Sequence, residues 1–283
     1  MATLLDGRSL AAALRQELKT KVAELNFTPR LGVILVGQDP ASHLYVRLKE
    51  QAAQEVGLAV EKILLPTETD FLTIKEKIET FNQRPDIHAI LIQLPLPRHL
   101  DENEVINVMD PNKDADGFHP RNLQRFLASQ PAVTPGVTLG IVKLIESAGQ
   151  KLSGKKAVLV VNSQEFAQPL VKLLNDRLVQ TEVWADGIKS NIKQADIIIV
   201  ARGRPNTITS VNIKDGAIVI DVGTNKLDQG LVGDVGTEAL SERPIYLTPV
   251  PGGVGPMTVA MLLWNVYYLA SHQLASGSNV PRN

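Results

Sequence analysis

The chain has 283 residues, long enough for one large or two ordinary domains, each with its own core. Its 29 basic and 30 acidic residues leave a net charge of -1, so no basic excess exists to grip nucleic acid or an anionic membrane, and neither is an expected partner. The lack of cysteine excludes disulfides, thiolate catalysis and cysteine-held zinc. With no secretory leader pattern and no apolar run near the roughly 20 residues of a membrane span, the chain reads as a soluble cytoplasmic protein.

Apolar residues at helical spacing predict a helix over 10–25. LGVILVG (31–37) then reads as a buried strand ended by glycine. A second helix is predicted from Ser42 to Val56, stopped by Gly57. It sets Ser42, Tyr45 and Lys49 on one face, two turns long. That mixture suits either an amphipathic surface helix whose lysine snorkels, or a pocket. In a pocket the ring stacks on a flat ligand, and the amine, its pKa lowered by desolvation, moves protons.

A strand at 59–65, a helix at 70–82 and a strand at 87–93 complete the pattern of a parallel α/β sheet. Ligands of such sheets sit beyond the carboxyl ends of the strands, where Gly37 and Gln93 stand. After a short helix at 102–108 comes DPNKDADGFHP (110–120), dense in turn formers and carrying three aspartates. It lacks the ordered ligand series of a calcium loop, and on local grounds it is a solvated turn run.

Thr134-Pro135-Gly136 marks a domain boundary, followed by a helix to Ala148. Strands at 156–161 and 181–184, and the glycine-ended runs ADIIIVARG and GAIVIDVGT, recur with helical connectors as in a Rossmann-like doubly wound sheet. A helix is predicted at 169–175. No G-x-G-x-x-G follows the first of these strands; the chain reads Val161-Asn162-Ser163-Gln164-Glu165-Phe166-Ala167. PVPGGVGP (249–256) is a rigid–flexible loop whose glycines permit close backbone approach, and an apolar helix follows from Met257 to Ala270.

Four stretches stand together: VGQDPASHLYVRLK (36–49), IQLPLP (92–97), PNKDADGFHP (111–120) and TPVPGGVGPMT (248–258). With DVGTNKL (221–227) and GDV (233–235), the chain from about residue 3 to 270 closely resembles the FolD family, the bifunctional methylenetetrahydrofolate dehydrogenases/methenyltetrahydrofolate cyclohydrolases. The resemblance implies two α/β domains with a cleft between them. An N-terminal parallel-sheet folate domain would comprise residues 1–134 with 256–275, and a Rossmann-like NAD(P)-binding domain residues 136–254; residues 276–283 would form a flexible tail. It implies tetrahydrofolate derivatives as substrates, NADP (or NAD) as cofactor, a homodimer, and no metal.

Carried over by position, Lys49 resembles the lysine of the hydrolytic step and Gln93 the glutamine that tunes it. Tyr45 resembles the ring that stacks on folate, and Ser42 its neighbour in a hydroxyl–amine network. Asp116 resembles the carboxylate that anchors the pterin edge; Leu94, Pro251, Gly252 and Gly253 match residues that line or close over the folate. Ser163, Asn162, Asp186, Gly203, Pro205, Gly223 and Thr224 fall at cofactor-binding positions.

The second half departs from the family. Where G-R-S-x-x-x-G-x-P is usual, Val161 replaces the first glycine, Asn162 the arginine that pairs with a 2′-phosphate, and Ala167 the second glycine; Ser163 and Pro169 survive. Ala185-Asp186-Gly187 replaces a serine/threonine-rich phosphate grip, and Asp186 suits a ribose diol better than a phosphate. Three readings follow. The first is a bifunctional enzyme, the second a cyclohydrolase with a degraded cofactor site, the third a non-catalytic folate-binding paralogue. The intact Ser42, Tyr45, Lys49, Gln93 and Asp116 argue against the third, and a non-folate α/β dehydrogenase is a distant fourth.

Overall fold

The computed structural model describes residues 1–185, 187–209, 213–228, 230–236 and 240–277. Its contacts divide the chain into two compact units: Ala12–Gly136 with the chain from Val259 onward, and Met1–Ala11 with Val137–Thr258. The chain opens with β1 (Thr3–Leu4) and α1 (Gly7–Ala23). Thr3 N donates to Ile245 O and Leu5 N to Leu247 O, at 2.8 and 2.9 Å. Residues 1–11, placed by the sequence with the first domain, therefore group with the second. A two-residue edge strand has no period of its own, and its partner lies near the other end of the chain.

The first unit is built on a three-stranded parallel sheet, β3–β2–β4, of β2 (Arg30–Val36), β3 (Ala59–Leu65) and β4 (Ala89–Ile92). Alternate side chains of β2 enter two cores, as the pleat requires. Leu31, Val33 and Leu35 pack with Leu18, Val46 and Leu262. Ile34 and Val36 pack with Ile74, Ile78 and Phe81 on the other side. Two covered faces explain why LGVILV is apolar throughout. Gly32 shares the second face, and a Cβ there would stand 2.7 Å from the Phe81 ring, so the aromatic fills the space a side chain would take.

Helix α2 (Pro40–Glu55) begins where Asp39 accepts from Ser42 N and Pro40 occupies the first turn, which needs no N–H. Asp70 caps α3 (Phe71–Gln83) in the same way. After α4 (Glu102–Asn107), a single 3₁₀ turn at Pro111–Lys113 leads into α5 (Pro120–Leu127), a helix the sequence reading did not place.

The second unit holds α6 (Gly136–Ser147), β5 (Lys156–Val161), α7 (Gln164–Asn175), β6 (Gln180–Trp184), β7 (Ile197–Ala201) and β8 (Ile218–Asp221). β9 (Asn225–Leu227) and β10 (Gly230–Val232) form a separate antiparallel pair, and β11 (Tyr246–Leu247) returns to the main sheet. That sheet has the order β1-β11-β8-β7-β5-β6, parallel at every pairing. From β5 the chain winds out to β6 and then crosses back to β7. The carboxyl ends of β5 and β7 thus flank the topological switch point, where doubly wound sheets bind ligands.

Two helices differ from expectation. α7 begins at Gln164 rather than Pro169: Ser163 caps it by accepting from Phe166 N, and Pro169 lies buried inside it. α8 runs from Val254 to Gly277, so Ser276 and Gly277 close a helix where a flexible tail was expected; residues 278–283 lie outside the described residues. Among the described residues no helix is long and apolar enough to cross a membrane.

Candidate active site

Lys49 sits on α2 with 9% of its surface exposed, and its Nζ donates to Gln93 Oε1 at 3.0 Å. Gln93 follows the last residue of β4, held there by Gln93 N to Ile34 O at 2.9 Å. Its Nε2 donates to Leu94 O, so both ends of the amide are committed and the oxygen faces the lysine. Burial pushes the Lys49 ammonium below the ordinary lysine range, and the charge of Asp116 opposes that shift. Asp116 is itself held above the usual carboxylate range by burial and by Asp114, with Lys49 pulling the other way. The three side chains that the sequence placed on a helix, a strand end and a loop are brought together.

Tyr45 stands one turn before Lys49 on α2 and is half-buried. Ser42 is buried, but its Oγ donates to Asp39 Oδ2 at 2.9 Å, the carboxylate that also caps the helix. The Ser42 hydroxyl thus spends its one O–H on the helix cap, and only its oxygen is left to accept in the expected hydroxyl–amine network. Leu94, joined to Pro95 by a cis bond, packs against the cluster of Ile92 and Leu96.

What presents Asp116 is a network the turn reading missed. Asp114, 1% exposed, accepts from Gly117 N, His119 N and Asn122 Nδ2 at 2.8 to 3.0 Å. Beside it the buried Lys113 ammonium donates to Phe81 O, Asn82 O and Arg84 O, three carbonyls at the C-terminal end of α3. The signal was present as D-A-D-G, an aspartate three residues before a glycine. Gly117 takes φ +78, and a Cβ there would meet Pro135 N at 2.7 Å.

In the second unit Val161 is fully buried, so its branch is spent in the core and does not occupy the space beyond β5. Asn162 follows, exposed, donating from Nδ2 to Arg202 O at 2.8 Å. Ser163 Oγ donates to Glu165 Oε2 at 2.7 Å while capping α7, and Ala167 is buried. Asp186 lies outside the described residues. Gly203, at φ +64 with open space around its Cα, and the exposed Pro205 form the turn after β7.

That turn hangs on one carboxylate. Asp234, fully buried, accepts from Arg202 N, Gly203 N, Arg204 N and Asn225 Nδ2. Asp221 in turn accepts from Gly223 N, Asp234 N and Val235 N, each at 2.9 Å. A Cβ on Gly223 would lie 2.3 Å from Asp234 Cγ, so this glycine makes room for the aspartate, not for a ligand. Thr224 is exposed beside it. The remaining N–H groups of the Asn162 amide and the Arg202 guanidinium at the switch point, with an open glycine turn, suit an anionic dinucleotide.

The Pro251-Gly252-Gly253 loop packs backbone on backbone. A Cβ on Gly7 would meet Gly253 O at 1.9 Å, and one on Gly253 would meet Pro249 O at 2.7 Å. Gly252 adopts φ +120, and the Val250–Pro251 bond is cis.

Comparison with known proteins identifies relatives along nearly the whole chain. The family described as tetrahydrofolate dehydrogenase/cyclohydrolase matches through its catalytic domain over residues 5–116 and its NAD(P)-binding domain over 135–274. The chain is 42% identical to a bifunctional protein FolD of Streptococcus gordonii over 284 residues, covering 98% of this chain and all of that one. With the bifunctional protein FolD of Exiguobacterium sibiricum it shares 44% over 271 residues, 94% of this chain and 98% of that one. Among solved structures, the bifunctional FolD dehydrogenase/cyclohydrolase of Campylobacter jejuni superposes with a TM-score of 0.91 at 38% identity, covering 96% of this chain and all of the other. The FolD of Trypanosoma brucei, solved with NADP cofactor and an inhibitor, gives 0.90 at 31% identity, with 96% and 98% covered.

Proposed function

Because the chain belongs to the tetrahydrofolate dehydrogenase/cyclohydrolase family, we propose that it oxidises 5,10-methylenetetrahydrofolate with NADP and hydrolyses the resulting methenyl compound to 10-formyltetrahydrofolate. The observation that carries this reading is the buried Lys49–Gln93 hydrogen bond with Asp116 beside it.

The methenyl carbon is an electrophilic amidinium, and its hydrolysis takes both protons of the attacking water: one ends on the departing nitrogen, and the other leaves to solvent as the adduct's hydroxyl becomes the formyl carbonyl. The Lys49 amine, whose pKa burial lowers, accepts the first in its uncharged form as water adds to carbon. The ammonium so formed donates to the ring nitrogen as the carbon–nitrogen bond breaks, restoring the amine. Gln93 Oε1 accepts one N–H and so aims the lone pair elsewhere, toward the substrate. Tyr45 supports stacking, and Asp116 supports pairing with the amino–amide edge of the pterin. NADP, when bound, supplies the hydride acceptor. The second N–H of Asn162 and the open space at Gly203 are suited to hold it, and Val161, which suggested a degraded site, lies in the core. We also infer, from the resemblance, a cytoplasmic homodimer.

The test pairs two assays on purified protein. NADP reduction with the methylene substrate should be measurable, as should loss of the methenyl substrate; Lys49→Met should abolish the second while the fold persists. Hydrolysis without detectable NADP binding at millimolar concentration would leave a cyclohydrolase alone.

A further inference from the structure

The position that usually carries a phosphate-binding arginine is Asn162, which brings no charge. Its side chain is nonetheless tied to a residue that does: Asn162 Nδ2 donates to the backbone of Arg202, across the switch point. From the end of β7, the Arg202 guanidinium reaches over the carboxyl ends of two more strands. Nη1 donates to Val161 O, at the end of β5, at 3.0 Å, and to Ala185 O, just past β6. Nη2 and Nε have no partner, and no carboxylate pairs with the guanidinium, among the described residues. Its backbone N–H is anchored on buried Asp234, so the side chain starts from a fixed point.

We propose that Arg202 is the specificity-determining residue of the cofactor site, selecting the dinucleotide that carries a 2′-phosphate. In doubly wound sheets the group beyond the second strand of the nucleotide half reads the ribose, an acid for a free 2′-hydroxyl and an arginine for a 2′-phosphate. Arg202 arrives at that place from another strand, tethered through Ala185 O. Asp186, which the sequence sets there and which favours a free 2′-hydroxyl, lies outside the described residues. A wild type that prefers NAD and 5′-AMP would assign the choice to it and overturn the proposal. Two carbonyls fix its plane, and the remaining N–H groups form the fork that a phosphate takes in a bidentate way. The strand ends accordingly regain the charge lost at residue 162. The alternative is that the guanidinium merely ties the three strand ends together, and it predicts a different outcome.

The proposal rests on the dinucleotide-binding reading above, and the experiment separates the two. Calorimetric titrations of the full chain, its Arg202→Ala and its Arg202→Lys variants would use 2′,5′-ADP, 5′-AMP, NADP and NAD. The wild type should favour 2′,5′-ADP over 5′-AMP and NADP over NAD. Arg202→Ala should weaken the two 2′-phosphate ligands by about tenfold to a hundredfold, leaving the other two unchanged. Arg202→Lys, which keeps a point charge and loses the fork, should fall between, with a melting temperature near that of the wild type. If the alanine variant keeps the wild-type preference, or both variants weaken all four ligands alike, Arg202 is a strand tie and the proposal is overturned. A wild type that binds none of the four overturns the cofactor reading, and this proposal with it.

Discussion

Lys49 and Gln93 meet across 3.0 Å, one from the middle of a helix and the other from the first position beyond a strand. The contact gives a buried amine an acceptor without giving it a counter-charge. Burial therefore stays the largest influence on the lysine, and its pKa stays below the ordinary 10.5. The neutral base required for hydrolysis becomes available as pH rises through that lowered value. The midpoint of the rise in hydrolysis rate should accordingly fall below pH 10.5. Gln93→Glu places a carboxylate where the amide oxygen was, favours the ammonium, and should move the rise to higher pH by about one unit or more. Rate–pH profiles of the two proteins check this; coincident profiles would refute it.

Asp116 acts on the same amine with the opposite sign. Its charge holds the Lys49 pKa up, so Asp116→Asn should shift the rise in hydrolysis toward lower pH. If it also pairs with the substrate, KM should rise by about tenfold or more, since a charge-assisted pair is lost. Steady-state kinetics across pH read both effects. A change in KM with an unmoved profile would mean that the two groups do not sense each other.

Asp221 offers a pH-dependence of stability. Burial, only partly countered by three backbone N–H donors, raises its carboxyl from 3.8 to about 6. The folded state then binds a proton more tightly than the unfolded state. Its contribution is fully present below about 3.8 and is lost as pH rises through about 6, an effect on the order of 3 kcal/mol. Denaturant titrations at intervals from pH 4 to 7 should show this slope in the wild type relative to Asp221→Asn, which cannot titrate. Parallel stability curves for the two proteins would count against it.

Gly32→Ala tests the packing of the first sheet. With the new methyl 2.7 Å from the Phe81 ring, overpacking should destabilise the protein by about 1–3 kcal/mol. Adding Phe81→Leu should recover part of the loss. A double variant no better than the sum of the single ones would place the strain elsewhere.

The sheets were legible because their strands are short β-branched runs; the strands at 59–65 and 156–161 coincide with those read from the sequence. β1 and β11 escaped notice because two residues show no alternation and their pairing joins the two ends of the chain. α7 was begun too late because Pro169 was read as a start, whereas Ser163 with Phe166 N is the physical one. In the site, Lys49, Tyr45 and Gln93 were visible as chemistry out of place on a helix face or strand end. Asp114, Lys113 and Asp234 were not, because each looks like a surface charge until the fold closes over it. Arg202 was hidden by its company: in ARGRP the glycine and proline drew the reading, while the guanidinium's role depends on carbonyls 41 and 17 residues away.

The three donors gathered by Asp114 also bear on how fast a substrate is captured. They fix the backbone from Gly117 to Asn122 during folding, and the Lys113 ammonium pins the segment before it to α3. The loop presenting Asp116 therefore has little freedom left to surrender on encounter. Association at this side of the site should be a single kinetic phase, linear in ligand concentration, with no slow ordering step to limit it.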